Sequence, residues 1–268
     1  MTYETLDIHQ DDRGVAYVKL NLPDKRNALA PEMIAELTDM AQTLGAARDT
    51  RAIVLSGAGK VFCAGGDLGW MKAQINADRA TRIREARKLA EMLNALNTMP
   101  TPLIGRIHGG AFGGGVGMAC VCDVAIADES TKFGLTETRL GIIPAIIGPY
   151  VVARLGEGNA RRVFMSARIF DAAEAAALGV VACAVPSDDL DAAVEAEVAP
   201  YLSVAPGAVG AAKALVRTLG PRIDADVIDD TIRQLADIWE SAEAAQGIEA
   251  FFAKIPAPWL KANDRTNG

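Results

Sequence analysis

The stretch His108-Gly109-Gly110-Ala111-Phe112-Gly113-Gly114-Gly115-Val116-Gly117-Met118 constrains this chain more than any other, with six glycines in eleven residues. It follows an apolar run at 103–107 that reads as a strand, and it leads into a short helix at about 114–121. Glycine loses more backbone freedom on folding than any other residue, so a folded chain that keeps so many needs a physical reason. Two reasons stay open. The glycines can let a helix pack closely, or they can aim free N–H groups at a helix N-terminus toward an oxygen that gains negative charge. The stretch lacks the Gly-Lys-Ser/Thr ending of a phosphate-binding P-loop and a complete G-x-G-x-x-G fingerprint.

The same order recurs along the chain. Residues 15–20 alternate as a strand, with Gly14 turning a hairpin back from an earlier strand near 3–8. Pro31 opens a helical pattern in which Met33, Ile34, Leu37, Met40, Ala41 and Leu44 recur on one face, followed by Gly45. A short apolar strand at 51–56 is broken by Gly57-Ala58-Gly59, and a long charged helix over 78–96 stops before Pro100 and Pro102. Residues 123–127 read as strand again. Strands this short and apolar must be buried, which predicts an α/β fold. From about residue 187 the pattern is helical only, with helices at 191–202, 209–219 and 224–244 separated by Pro206-Gly207 and Gly220-Pro221. The expected organisation is an α/β core over 1–200 and a helical C-terminal module over 201–268.

The chain has 268 residues, half of them hydrophobic, with a net charge of −7. That charge excludes a nucleic-acid backbone binder, although a few local basic groups and helix N-termini can still hold an anionic cofactor. The cysteines are Cys63, Cys120, Cys122 and Cys183, with no CxxC pair and only His9 and His108 as histidines, so no metal site is expected. Scattered thiols, the absence of an apolar leader after Met1 and the absence of a membrane-length apolar run predict a soluble cytoplasmic protein.

Two further stretches carry chemistry. Phe62-Cys63-Ala64-Gly65-Gly66-Asp67-Leu68 follows a strand, and its small residues allow a ligand to approach the backbone or simply make a flexible loop. Phe133-Gly134-Leu135-Thr136-Glu137-Thr138-Arg139-Leu140-Gly141-Ile142-Ile143-Pro144 sets Glu137 in an apolar loop. A carboxylate there is either a proton-transfer group with a raised pKa or the partner of Arg139 in an ion pair.

Taken in order, these stretches resemble the enoyl-CoA hydratase/isomerase (crotonase) family over nearly the whole chain. Leu22-Pro23-Asp24-Lys25-Arg26-Asn27-Ala28-Leu29 looks like the family's early CoA-contacting turn, and Asp171-Ala172-Ala173-Glu174 to Val181 like a further structural stretch that also reads as a capping box. The resemblance implies a crotonase-like spiral of ββα turns with a helical C-terminal oligomerisation module that builds a homotrimer or a hexamer. It implies no prosthetic group, with coenzyme A entering as part of an acyl-CoA thioester substrate. Glu137 would be the acid/base, and the N–H groups of Gly66 and Gly114 would form the oxyanion hole. Arg26, Ala28, Ala64, Gly65, Asp67, Leu68, Phe251 and Lys254 would contact CoA, the last two, with Phe252, where family members often reach a neighbouring subunit's CoA.

The sequence also departs from the family. Many relatives carry a second glutamate on the helix after the glycine run, where this chain has Gly117, and Pro144-Ala145-Ile146-Ile147-Gly148-Pro149-Tyr150 replaces a glycine-rich run. Hydration needs water activated at one carbon and a proton delivered to its neighbour, whereas a double-bond shift needs one carboxylate only, so lone Glu137 favours an isomerase on chemistry. The wording of 112–117, 133–135, 143–145 and 149–156 looks most like bacterial hydratases of branched glutaconyl-type acyl-CoAs, which act in leucine and acyclic-terpenoid breakdown. That closer resemblance selects hydratase, with isomerase second and an inactive CoA- or RNA-binding relative third.

Overall fold

The computed structural model describes residues 3–260. Six strands form the main sheet: β1 (Leu6–Gln10), β2 (Val15–Leu20), β3 (Ala52–Gly57), β4 (Leu103–Ile107), β6 (Val124–Asp128) and β9 (Cys183–Val185), lying side by side in that order. Only the β1–β2 hairpin is antiparallel, with Ile8 opposite Val18; every later neighbour is parallel. A second sheet holds three three-residue strands, β5 (Gly110–Phe112), β7 (Lys132–Gly134) and β8 (Ile169–Asp171).

The two sheets arise together. Strand β4 joins the main sheet, β5 turns into the second, and α4 (Gly114–Val121) returns the chain to β6, after which β7 again enters the second sheet. Parallel neighbours need such crossovers, because a tight hairpin cannot reverse the chain twice. Helix α1 (Pro31–Thr43) makes the crossover from β2 to β3, while α2 (Leu68–Ile75) and α3 (Arg79–Thr98) lie between β3 and β4.

Burial explains the apolar strands. Ile53 and Leu55 face one hydrophobic core with Met33, Leu37 and Met40 of α1 and Leu93 and Leu96 of α3. Ala52 and Val54 face the opposite side, packed with Leu190, Val194 and Val198 of α7 (Leu190–Val198). A strand covered on both faces has no polar alternation, as 52–55 shows.

The helical tail differs in detail from the sequence expectation. Residues 191–202 divide into α7 and a 3-10 stretch, Ala199–Ser203, with Pro200 in its first turn. Pro206 and Gly207 are not a separator; they open α8 (Pro206–Leu219), where proline's missing N–H costs nothing. The single helix expected over 224–244 is two. Helix α9 (Ala225–Trp239) stops, and the Ser241 hydroxyl accepts from the Ala244 N–H at 3.1 Å to start α10 (Ala242–Ala253). The capping box at Asp171 is half formed. Asp171 accepts from the Glu174 N–H at 2.9 Å, but the Glu174 carboxylate turns to Arg168 at 2.6 Å. Helix α9 packs on α3, and α10 packs on the turn that carries Glu137. Of the expected C-terminal module, residues 261–268 lie outside the described residues.

Candidate active site

A cavity of about 420 Å3 lies between the second sheet, α2, α3 and the C-terminal helices. Its walls come from Leu29, the loop Ala64–Leu68 between β3 and α2, residues of α2 and α3, the start of α4, the stretch 136–147, and the inner faces of α9 and α10. A roomier depression of about 740 Å3 lies elsewhere, beside α8, but its basic groups are already engaged; Lys213, for one, pairs with Asp123.

The second sheet brings the first two walls together. An isolated parallel bridge joins Cys63 to Ala111: the Cys63 N–H donates to the Gly110 carbonyl at 3.1 Å, and the Phe112 N–H donates to the Cys63 carbonyl at 3.0 Å. A second bridge joins Leu29 to Gly66, with the Leu29 N–H on the Gly65 carbonyl at 2.8 Å and the Asp67 N–H on the Leu29 carbonyl at 3.3 Å. This pattern uses the groups on either side of Gly66 and leaves its own N–H without an acceptor among the described residues. Likewise, the Gly113 N–H is taken by the Gly134 carbonyl at 2.9 Å, while the Gly114 N–H, first in α4, has none. Both residues line the cavity.

Glu137 reaches the same place from a 3-10 turn, Glu137–Leu140. Gly113 has φ of +48°, and a methyl group on it would lie 2.9 Å from Glu137 Oε1, so this position needs glycine on both counts. Glu137 Oε2 is buried and has no hydrogen-bond partner. Burial pushes its carboxyl up to about 7, and a bond from its own backbone N–H offsets that only in part. The alternative of an ion pair with Arg139 is not formed; none joins the two side chains.

Around this carboxyl the surface is hydrocarbon, including Leu29, Leu89, Ile142, Ile146 and Leu235. Position 117, where a second carboxylate would stand, is filled from outside. A methyl group on Gly117 would overlap Ile147 Cγ2 and lie 2.9 Å from Ile147 Cβ. Neither nearby acid substitutes for it: Asp123 accepts from Lys213 at 2.7 Å, Asp128 from the Ser130 N–H at 2.6 Å, and neither lines the cavity. The Cys63, Cys120 and Cys122 thiols are held up at about 12 by burial, which leaves no thiolate to act as nucleophile.

The other expected contact residues divide. Ala64, Gly65, Leu68 and Phe251 line the cavity with Gly66, Gly114 and Glu137. Phe251, expected beside a neighbouring subunit's CoA, lines its own chain's cavity. Asp67 is occupied as the N-cap of α2, accepting from the Trp70 N–H at 2.8 Å. Arg26 and Ala28 lie beneath the loop, where the Arg26 carbonyl accepts from the Ala64 N–H at 3.0 Å. Lys254 ends α10 in a left-handed conformation, outside the cavity wall. Sequence reasoning passed over Asn27, which is fully buried and ties the early turn to residues 58–61 through the Ala58 and Val61 carbonyls at 2.8 and 2.9 Å. It also missed Trp70, Met71 and Trp239 as walls. The only signal for them is an apolar spacing shared with ordinary core helices.

The family model for enoyl-CoA hydratase/isomerase matches residues 10–262. The chain belongs to this family. An enoyl-CoA hydratase from Shewanella pealeana is 35% identical with a TM-score of 0.79, over 96% of this chain and 97% of that one. AtuE of Pseudomonas aeruginosa is 37% identical with a TM-score of 0.77, over 96% of this chain and all of its own. An enoyl-CoA hydratase/isomerase from Marinobacter aquaeolei is 34% identical with a TM-score of 0.77 at the same coverage. The architecture is thus the crotonase spiral with its helical C-terminal region, and the protein is an enzyme of the crotonase family. No described helix is long and apolar enough to cross a membrane, and no cluster of three or more His, Cys, Asp or Glu side chains among the described residues could hold a metal.

Proposed function

We propose that the chain is an enoyl-CoA hydratase acting on a branched, glutaconyl-type α,β-unsaturated acyl-CoA, with Glu137 as its acid/base. The observation that carries this reading is the unpartnered, buried Glu137 Oε2, poised near neutrality beside two free backbone N–H groups. The ionised carboxylate takes a proton from water as the water oxygen bonds to the β-carbon. The displaced electron pair moves through the α-carbon to the thioester oxygen, where the Gly66 and Gly114 N–H groups hold the enolate charge. The same carboxyl then returns its proton to the α-carbon. Arg26, Ala28 and Ala64–Leu68 hold the CoA portion.

The isomerase reading remains second, favoured by one observation: Ile147 fills the room a second carboxylate would need. The chain works in the cytoplasm as a homotrimer or hexamer built through 201–268, a reading supported by the exposed Leu215, Val216 and Leu219 on α8. Incubation with a panel of enoyl-CoAs, read by product mass, tests the reaction. Gain of one water supports the hydratase, and unchanged mass with a moved double bond replaces it by the isomerase.

A further inference from the structure

Arg139 is the one basic side chain on the cavity wall among the described residues. It is exposed, and it makes no ion pair and no side-chain hydrogen bond among them. Several other arginines of the chain are engaged: Arg79 with Asp237 and Glu240, Arg106 with Asp191, Arg168 with Glu174. A guanidinium carries five donors and no acceptor, and it stays charged at any pH the protein meets. Placed at the edge of a hydrocarbon cavity, it pairs with nothing among the described residues.

The turn that carries it is nonetheless anchored. Arg139 shares the 3-10 turn of Glu137, and its backbone N–H donates to the Thr136 carbonyl at 3.1 Å. The Thr138 hydroxyl donates to the Met165 carbonyl at 3.2 Å, and the Ile142 N–H to the Glu137 carbonyl at 3.3 Å, so both ends of the turn are anchored. The backbone that carries Arg139 is therefore set relative to Glu137, and its guanidinium reaches the cavity wall without pairing with that carboxyl.

From this arrangement we infer that Arg139 receives a carboxylate carried at the far end of the substrate's acyl chain, making the preferred substrates thioesters of dicarboxylic acids. The inference rests on the reading that the cavity takes an acyl-CoA, and it adds the residue that selects among acyl groups. A carboxylate matches the guanidinium fork bidentately and makes bonds roughly twice as strong as neutral ones. Arg139 is the one cation on the described cavity wall that could meet a second anionic group on the ligand, so it bears on whether such a substrate is accepted. Coenzyme A phosphates are the other source of anionic oxygens, but they lie at the opposite end of the ligand, where Lys25, Arg26 and Lys60 are exposed beside the early turn.

Binding of saturated thioesters tests the inference independently of any reaction. Titration calorimetry of glutaryl-CoA, butyryl-CoA and free CoA is run on the intact protein and on Arg139→Gln and Arg139→Lys. The native protein is expected to prefer glutaryl-CoA to butyryl-CoA. Arg139→Gln is expected to weaken glutaryl-CoA by about 10- to 100-fold and the other two by less than about threefold, with Arg139→Lys recovering part of the loss. Equal losses for all three ligands would assign Arg139 to the CoA phosphates and overturn the proposal, as would a native protein with no preference for glutaryl-CoA. Failure of all three to bind the native protein would instead remove the acyl-CoA reading itself.

Discussion

Replacing Glu137 by glutamine should make the protein less active and more stable at the same time. The magnitude follows from burial. Raising the carboxyl from its ordinary 4.5 to about 7 means the folded state disfavours the charged form, at about 1.4 kcal/mol for each tenfold change, or about 3 kcal/mol in all. Because the folded value lies above the unfolded one, the native protein keeps its full stability below about pH 4.5. It then loses stability progressively as pH rises toward 7, and the loss is constant above that. Glutamine is uncharged throughout, so Glu137→Gln should match the native protein near pH 4.5 and exceed it by up to about 3 kcal/mol at pH 8. Urea unfolding at closely spaced pH values measures the gap. Over the same range native kcat/KM should rise to a plateau with an inflection near 7, if Glu137 acts as the base, because the free enzyme must then hold the carboxylate ionised to accept a proton. Turnover by the glutamine variant should fall by roughly 10²–10⁴-fold with little change in CoA affinity. A gap between the two proteins that is independent of pH would refute the claim that an ionising Glu137 is held in a dry site. Full turnover by the variant would move the chemistry to another residue.

Gly114→Pro deletes the free N–H at the first position of α4 but also sets a carbon 2.6 Å from Leu29 Cδ1; relative to Gly114→Ala, which meets Leu29 equally and keeps the N–H, turnover should drop by about 10²–10³-fold in a folded protein, as circular dichroism and steady-state kinetics can check. Gly117→Ala drives a methyl group into Ile147 and should cost about 1–3 kcal/mol in urea unfolding, whereas Gly117→Glu requires Ile147→Gly beside it to fold at all. Lys213→Met strands Asp123, whose carboxylate would keep only the Leu103 N–H at 2.7 Å, and should cost about 3 kcal/mol by the same assay.

The candidate-site stretches were legible in the sequence because each is local: a glycine run after a strand, a small-residue loop, and a glutamate in an apolar loop. Their convergence on one cavity came from the resemblance of their order to a known family, and the structure places Gly66, Gly114 and Glu137 together in it. The second sheet was not legible, since strands of three residues such as Gly110–Phe112 and Lys132–Gly134 are too short to show a period of two. The break between α9 and α10 was missed because Trp239-Glu240-Ser241 contains neither glycine nor proline, and the stop is made by a serine side chain. Ile147 filling the space above Gly117 joins positions thirty residues apart, a contact that no local pattern encodes. Arg139 was visible as a neighbour of Glu137, but whether it pairs with that carboxylate is a matter of side-chain direction, which spacing leaves open.

The two isolated bridges, Leu29 to Gly66 and Cys63 to Ala111, make the reactive geometry a matter of backbone counting. Inserting or deleting one residue between Cys63 and Gly66 would slide that N–H along the ladder by about 3.3 Å, more than the whole length of a hydrogen bond. Side chains of the cavity wall carry no such obligation, since none of them sets the ladder. Descendants of this chain can therefore exchange Ile142, Ile146 or Leu235 to suit a new acyl group while every loop that bears a bridge keeps its length.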